Sequence, residues 1–214
     1  MKIVNPVKNA ILAKWPKGQI TQGFGENPGR YNQFNLKGHN GVDIIKSDGW
    51  PIIGTAGRVV EVRYDPTGLG SHIRILTDPD LKGDYLELSY GHMRGILVSP
   101  LQRVKDGEQV GTMGNTGTVA SGDKLYVWGN APAGKGVHLH LTVRECNLSS
   151  TGWTTSYSTG LQAYIKNYDN GYKGAVDPFP FLEEGVKEEA VSAIELAKKV
   201  IAQFIEYLKG RNRQ

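Results

Sequence analysis

Between Trp50 and Arg144 the chain is a succession of short β-branched and aromatic runs: GRVVEVRYD, SHIRILTD, DYLELSYGHM, VKDGEQVGTMG and VHLHLTVRE. Glycine-bearing turns such as PTGLG, VKDGE and GNTG punctuate them. Runs of about five to seven residues have strand length, and no pattern at helical spacing intrudes. Short strands joined by tight turns pair antiparallel with their neighbours. The texture therefore predicts a mainly β fold, a folded antiparallel sheet or partly closed barrel. Between two of the strands, SGDKLYVWGNAPAGKG reads as an inserted loop or hairpin.

The flanks differ. Residues 1–50 are rich in Gly, Asn and Pro and read as loop with brief strands. Residues 147–182 are irregular, polar and aromatic, with Trp153, Tyr157, Tyr164, Tyr168 and Tyr172. Those rings are expected to pack a loop that has no core of its own, in preference to lining a saccharide groove. From Glu183 to Leu208 the apolar residues Val186, Ala190, Ile194, Ala197, Ile201, Phe204 and Leu208 recur at steps of three and four. That is one stripe of an amphipathic helix. Its glutamates crowd the start and its lysines the end, as the helix dipole favours. The expected division is a domain over 1–182, followed by a helix and basic tail over 183–214.

Composition narrows the function class. The formal charge is +4, with a pI near 9.0. Basic residues do not cluster in the body of the chain and no nucleic-acid module is present, so a basic enzyme with an anionic partner is the simpler reading. No apolar run is long enough to span a bilayer. The lone Cys146 excludes an intramolecular disulfide framework and multi-cysteine zinc sites. It is expected to be a small buried filler.

The histidines carry the chemistry. In GVHLHLTVRE, His138 and His140 share one strand face, while Leu139, Leu141 and Val143 take the packed one. Taken alone, a pair of partly exposed histidines on a polar face explains this as well as a metal site does. In GHNGVD, His39 precedes Asp43 by four positions, a spacing common by chance. A zinc site needs three protein ligands drawn from His and carboxylate, plus an open position. His39, Asp43 and one histidine of the pair make such a set. SYGHMRG adds His92 at a strand end, and His72 is left as structural or surface.

In order, GHNGVD, YGHM, VKDGEQVGTMGNTG and HLHL resemble the lysostaphin/LytM-type zinc endopeptidases, which cut peptidoglycan cross-bridges and stem peptides. The resemblance runs from about Gly23 to Glu145, with AVDPFPFL (175–182) similar to the family's closing segment. It implies a domain core over about 20–145 with the zinc in a groove, and insertions at 118–135 and 147–174. It implies zinc ligands at His39, Asp43 and His140, catalytic histidines at His92 and His138, and an assisting tyrosine at Tyr31.

The expected activity is zinc-dependent hydrolysis of peptide bonds in bacterial peptidoglycan. Two alternatives stand beside it. One is a non-catalytic wall-binding or hydrolase-activating module that retains the metal site. The other is a histidine-rich metal-binding protein without catalysis. The N-terminal stretch MKIVNPVKNAILAKWPKG lacks the apolar core of a secretory signal. This adds the expectation of a bacteriophage lysin or virion-associated hydrolase, cytoplasmic until released. The helical stripe over 183–208 suggests packing or self-association.

Overall fold

A computed structural model describes residues 1–147 and 153–183. The main sheet runs, neighbour to neighbour, through Ile20–Gln22, Val42–Ile44, Leu139–Asn147, Tyr85–Gly91, Gly70–Thr77, Gly57–Asp65 and Arg103–Val104. Every pairing along this path is antiparallel. A second, three-stranded sheet joins Pro51–Ile53, Gln109–Thr112 and Gly95–Ile96. The fold is therefore mainly β, as the glycine-punctuated runs predict. Of the two forms expected, the folded open sheet is the one that occurs. The path ends in strands of three and two residues, Ile20–Gln22 and Arg103–Val104, and these do not pair with each other. Strands that short offer too few ladder bonds to close a barrel seam.

Strand alternation sets the core. Leu139, Leu141 and Val143 are fully buried beside Leu88, Tyr90, Ile73 and Ile75 from the neighbouring strands. AVDPFPFL closes this core. Ala175–Val176 pairs with Val143 and Arg144, and Leu182 packs with Ile3 and Val7. Ile3 N also donates to Phe181 O at 2.8 Å.

The inserted segment 118–135 contains the hairpin Val119–Ser121/Lys124–Tyr126. The stretch 147–174, irregular by sequence, contains a second hairpin. Trp153–Ser156 pairs with Gln162–Ile165, which extends the main sheet at Cys146 and Asn147. WTTS and QAYI are strand-forming runs too short for their alternation to stand out. Tyr157 at the tip is buried and Tyr172 stacks 4.5 Å from Phe24, so these rings pack the insertion. Cys146 is fully buried beside Val60, Ala163 and Ile165. Burial pushes its thiol up to about 12. The helix expected over 183–208 lies outside the described residues. Among the described residues, no helix is long and apolar enough to cross a membrane.

The face opposite the core is polar but not wet. Glu87 is fully buried there, in contact with Arg144 Nη1 and accepting a 2.6 Å bond from Tyr157 Oη. Burial alone would raise the Glu87 carboxyl. The charges of Arg144 and Arg74 and the Tyr157 hydroxyl outweigh it, so the net shift is downward. His72 is buried on this face, 3.7 Å from Glu61, so of the two expectations for it, structural or surface, the first holds.

Arg144→Met will leave Glu87 buried without its main partner and destabilise the fold by about 3–5 kcal/mol at neutral pH. The sign with pH follows. A carboxyl held below its ordinary 4.5 contributes stability above that value and loses it as pH falls through the lowered folded value. The gap between wild type and variant in urea midpoints should therefore shrink as pH drops below about 4.5.

Candidate metal centre

Register alone brings two of the candidate residues together. His140 lies directly opposite Asp43 on one side and Gly91 on the other. Directly opposite residues in an antiparallel pair project to the same face. His39 reaches the same point from the turn before Val42–Ile44. Its backbone is pinned on both sides, by His39 N to Glu26 O at 2.9 Å and Gly25 N to His39 O at 2.8 Å.

Three donor atoms converge. His39 Nε2 lies 2.9 Å from His140 Nδ1 and 3.2 Å from Asp43 Oδ1, and His140 Nδ1 lies 3.0 Å from the same oxygen. These are the three residues, all buried, that form a metal-capable group among the described residues. Tetrahedral ligands about 2.0–2.1 Å from zinc stand about 3.3 Å apart, so the triangle needs only slight opening to admit the ion. The remaining ring nitrogens fit as well. His39 Nδ1–H donates to Gly23 O at 3.1 Å, which leaves Nε2 with its lone pair. His140 Nε2 stands 2.9 Å from Thr142 Oγ1, which can accept its proton and leave Nδ1 free. Second partners of this kind fix the tautomer of a metal-binding imidazole.

Burial would raise the Asp43 carboxyl, but the surrounding His138, His39 and His140 imidazoles hold it well below the usual carboxylate range. For His39, burial works downward and is overcome by Asp43, so the ring is raised. His140 is lowered, chiefly by burial. A carboxylate ionised at any physiological pH beside two imidazoles is the donor set that zinc takes.

The other candidates stand beside this triangle. His138 Nε2 is 3.5 Å from Asp43 Oδ1, and its Nδ1–H donates to Gly136 O at 2.8 Å. The His92 ring lies 4.6 Å from that of His138, with Nδ1–H donating to Thr116 O at 2.8 Å. Both keep Nε2 for chemistry. His92 is buried next to His138 and His140, and burial first, then those neighbours, pushes it well below the ordinary histidine value. It also sits at φ 59°, in the left-handed region that a non-glycine residue occupies at a cost. The Tyr31 ring lies 5.3 Å from that of His39, and its hydroxyl donates to Gln22 Oε1 at 3.2 Å. Burial and the Asp43 charge raise that phenol, which stays protonated.

Tyr31, Asp43, His92, His138 and His140 open on one groove of about 1000 Å³, while His39 is buried behind them. One wall is the loop carrying the short helix Pro28–Tyr31, and the other is the hairpin Val119–Tyr126. The structure thus brings together His39, Asp43, His92, His138, His140 and Tyr31, and leaves His72 on a separate buried cluster. Sequence reasoning missed Thr142 and the carbonyls of Gly23, Thr116 and Gly136. Thr142 was within reach, being two residues beyond His140 on the same strand face.

Gly41 of GHNGVD has a steric task. A Cβ there would stand 2.9 Å from the His140 ring and 2.4 Å from Leu141 O. Gly41→Ala should displace that imidazole and weaken zinc binding by about 10–100-fold, the scale of supporting-residue changes. Competition against a chromogenic chelator measures this directly.

A His–Asp–His triangle where Val42–Ile44 pairs with Leu139–Asn147 inside an antiparallel sheet, with two further histidines over a groove, makes a centre able to hold a metal ion. Residues 37–151, more than half of the chain, match the model of Peptidase family M23. The chain belongs to that family, and the resemblance read from GHNGVD, YGHM and HLHL is borne out.

Relatives are close only in part. The chain is 38% identical over 107 residues to murein hydrolase activator NlpD of Escherichia coli K12, covering 49% of this chain and 25% of that protein. It therefore spans about a quarter of the length of that curated relative. Among solved structures, a mutant catalytic domain of the prophage-encoded M23 protein EnpA from Enterococcus faecalis is 28% identical. That match covers 59% of this chain and 79% of that one, with a TM-score of 0.43. The catalytic domain of lysostaphin from Staphylococcus simulans is 22% identical, covers 76% and 90%, and has a TM-score of 0.49.

Proposed function

We propose that the chain is a zinc-dependent endopeptidase acting on peptide bonds of bacterial peptidoglycan. The observation that carries this reading is the convergence of His39 Nε2, Asp43 Oδ1 and His140 Nδ1 within 3.2 Å of one another beside two anchored histidines. Those three residues would hold zinc, which supplies Lewis-acid polarisation of an amide carbonyl and a water of lowered pKa. The protein's own groups do the rest. One of His138 and His92 takes the proton of the attacking water at Nε2 and returns it to the leaving amine. The other, an acceptor at Nε2, orients the attacking water, and the protonated Tyr31 hydroxyl donates to the developing oxyanion. The Nδ1–H bonds to Gly136 O and Thr116 O hold both rings in place throughout.

A second reading has its own support. The name of the Escherichia coli relative assigns it activation of murein hydrolases. A non-catalytic, hydrolase-activating module on the same metal site is the competing function. It leaves unexplained why His92 and His138 both stand over the groove with Nε2 available. Metal analysis and reconstitution separate the two. The endopeptidase reading expects about one zinc per chain, loss of wall-peptide cleavage on chelation and recovery on adding zinc back. An activator that never cleaves alone, yet speeds a separate wall hydrolase, would establish the other.

A further inference from the structure

We propose that the Thr116 side chain is a positioning group for His92. Its hydroxyl holds open the strand end that carries this histidine and sets the Thr116 carbonyl against Nδ1, so that an unprotonated Nε2 is presented to the groove. The catalytic consequence rests on the endopeptidase reading above; the tautomer of the ring does not.

His92 follows Tyr85–Gly91, where that strand leaves its ladder with Gly70–Thr77. The chain is fastened there by His92 N to Leu69 O at 2.7 Å and Met93 N to Ser71 O at 2.9 Å. Two antiparallel residues that share one such bond ordinarily exchange a second, which here would run from Ser71 N to Met93 O. Instead Thr116 Oγ1 stands between those atoms, accepting from Ser71 N at 2.8 Å and donating to Met93 O at 3.0 Å. One hydroxyl thus takes the place of a ladder bond. Beside it His92 adopts its φ of 59°, and the Thr116 carbonyl accepts from His92 Nδ1 at 2.8 Å.

The seat for Thr116 is built for close approach. A Cβ on Gly70 would stand 2.3 Å from Thr116 Oγ1 and 2.4 Å from its carbonyl oxygen, and one on Gly117 would stand 2.3 Å from Gly70 N. Both glycines have positive φ, 62° and 79°, a conformation that glycine adopts without penalty. Shape alone does not call for a hydroxyl, since valine would fill the same space; valine lacks the two hydrogen bonds. Without them Ser71 N and Met93 O either meet directly, which turns His92 out of the left-handed region, or stay unpaired at a cost. Either way the Thr116 carbonyl is no longer held against Nδ1, and the bond that fixes the ring's proton is lost.

The test is nitrogen NMR of the imidazoles in the intact chain with chelator, at about pH 8, above the ordinary histidine range. His92 in the wild type is expected to carry its proton at Nδ1 alone. Thr116→Val should give a mixture of both tautomers, and Thr116→Ser, which keeps the hydroxyl, should restore the wild-type pattern. Gly70→Ala, which pushes the hydroxyl off its seat, is the second variant and should give the same mixture. With zinc restored, Thr116→Val should also lose about 10²-fold in kcat at unchanged KM, the scale of a misplaced catalytic group. A Thr116→Val chain with the wild-type tautomer overturns the proposal. So does a wild-type His92 protonated at Nε2, a result that needs no variant to fold. A tautomer shift in a chain that cleaves no wall peptide leaves the positioning role standing and removes the endopeptidase; cleavage with an unmoved proton in Thr116→Val does the reverse.

Discussion

On the endopeptidase reading, an Asp43→Ala chain will purify without zinc and without measurable cleavage of wall peptides. Among the described residues, Asp43 is the carboxylate of the triangle, and its Oδ1 lies 3.2 Å from His39 Nε2 and 3.0 Å from His140 Nδ1. Its loss leaves two neutral nitrogens, below the three protein ligands that a catalytic zinc site uses. The fold should survive, because Leu139, Leu141 and Val42 pack on the other side of these strands. Atomic absorption of the purified variant, with circular dichroism to verify the fold, measures the outcome. A variant with full zinc would show that the metal sits elsewhere.

His138→Ala is expected to behave differently. His138 shares the strand face of His140, yet its Nε2 stands at 3.5 Å from the Asp43 oxygen, outside the tight triangle. It should therefore keep the zinc and lose about 10²–10⁴-fold in turnover, the range for removing a general acid–base group. His92 stands next in line, and removing both should cost less than the product of the single losses, since residues that act as a unit are not additive. A zinc-depleted His138→Ala chain would overturn this division of roles.

Much of this was legible in the sequence, for identifiable reasons. Period-two alternation in VHLHLTVRE placed three apolar residues in the core and both histidines on the opposite face, because side-chain direction in a strand follows from position alone. What the sequence does not carry is distance across the fold. His39 and His140 are 101 positions apart, and only the Asp43–His140 register makes them neighbours. Backbone carbonyls that orient each ring, those of Gly23, Gly136 and Thr116, have no residue-type signature. Glu87 in DYLELSYG follows the alternation of a solvent-facing residue. It is buried because the hairpin at 153–165 brings Tyr157 over it. The strands of that hairpin are too short to announce themselves, so the stretch 147–182 reads as irregular.

The endopeptidase reading places its chemistry at the triangle of His39, Asp43 and His140. The most direct test is digestion of purified peptidoglycans of several cross-bridge types by the zinc-loaded chain, with products identified by mass spectrometry. The Asp43→Ala chain and a chelated sample serve as controls. The account predicts new peptide termini only with the intact, metal-loaded protein. No new termini on any wall, from a chain shown to hold one zinc, would contradict it and leave the activator reading in its place.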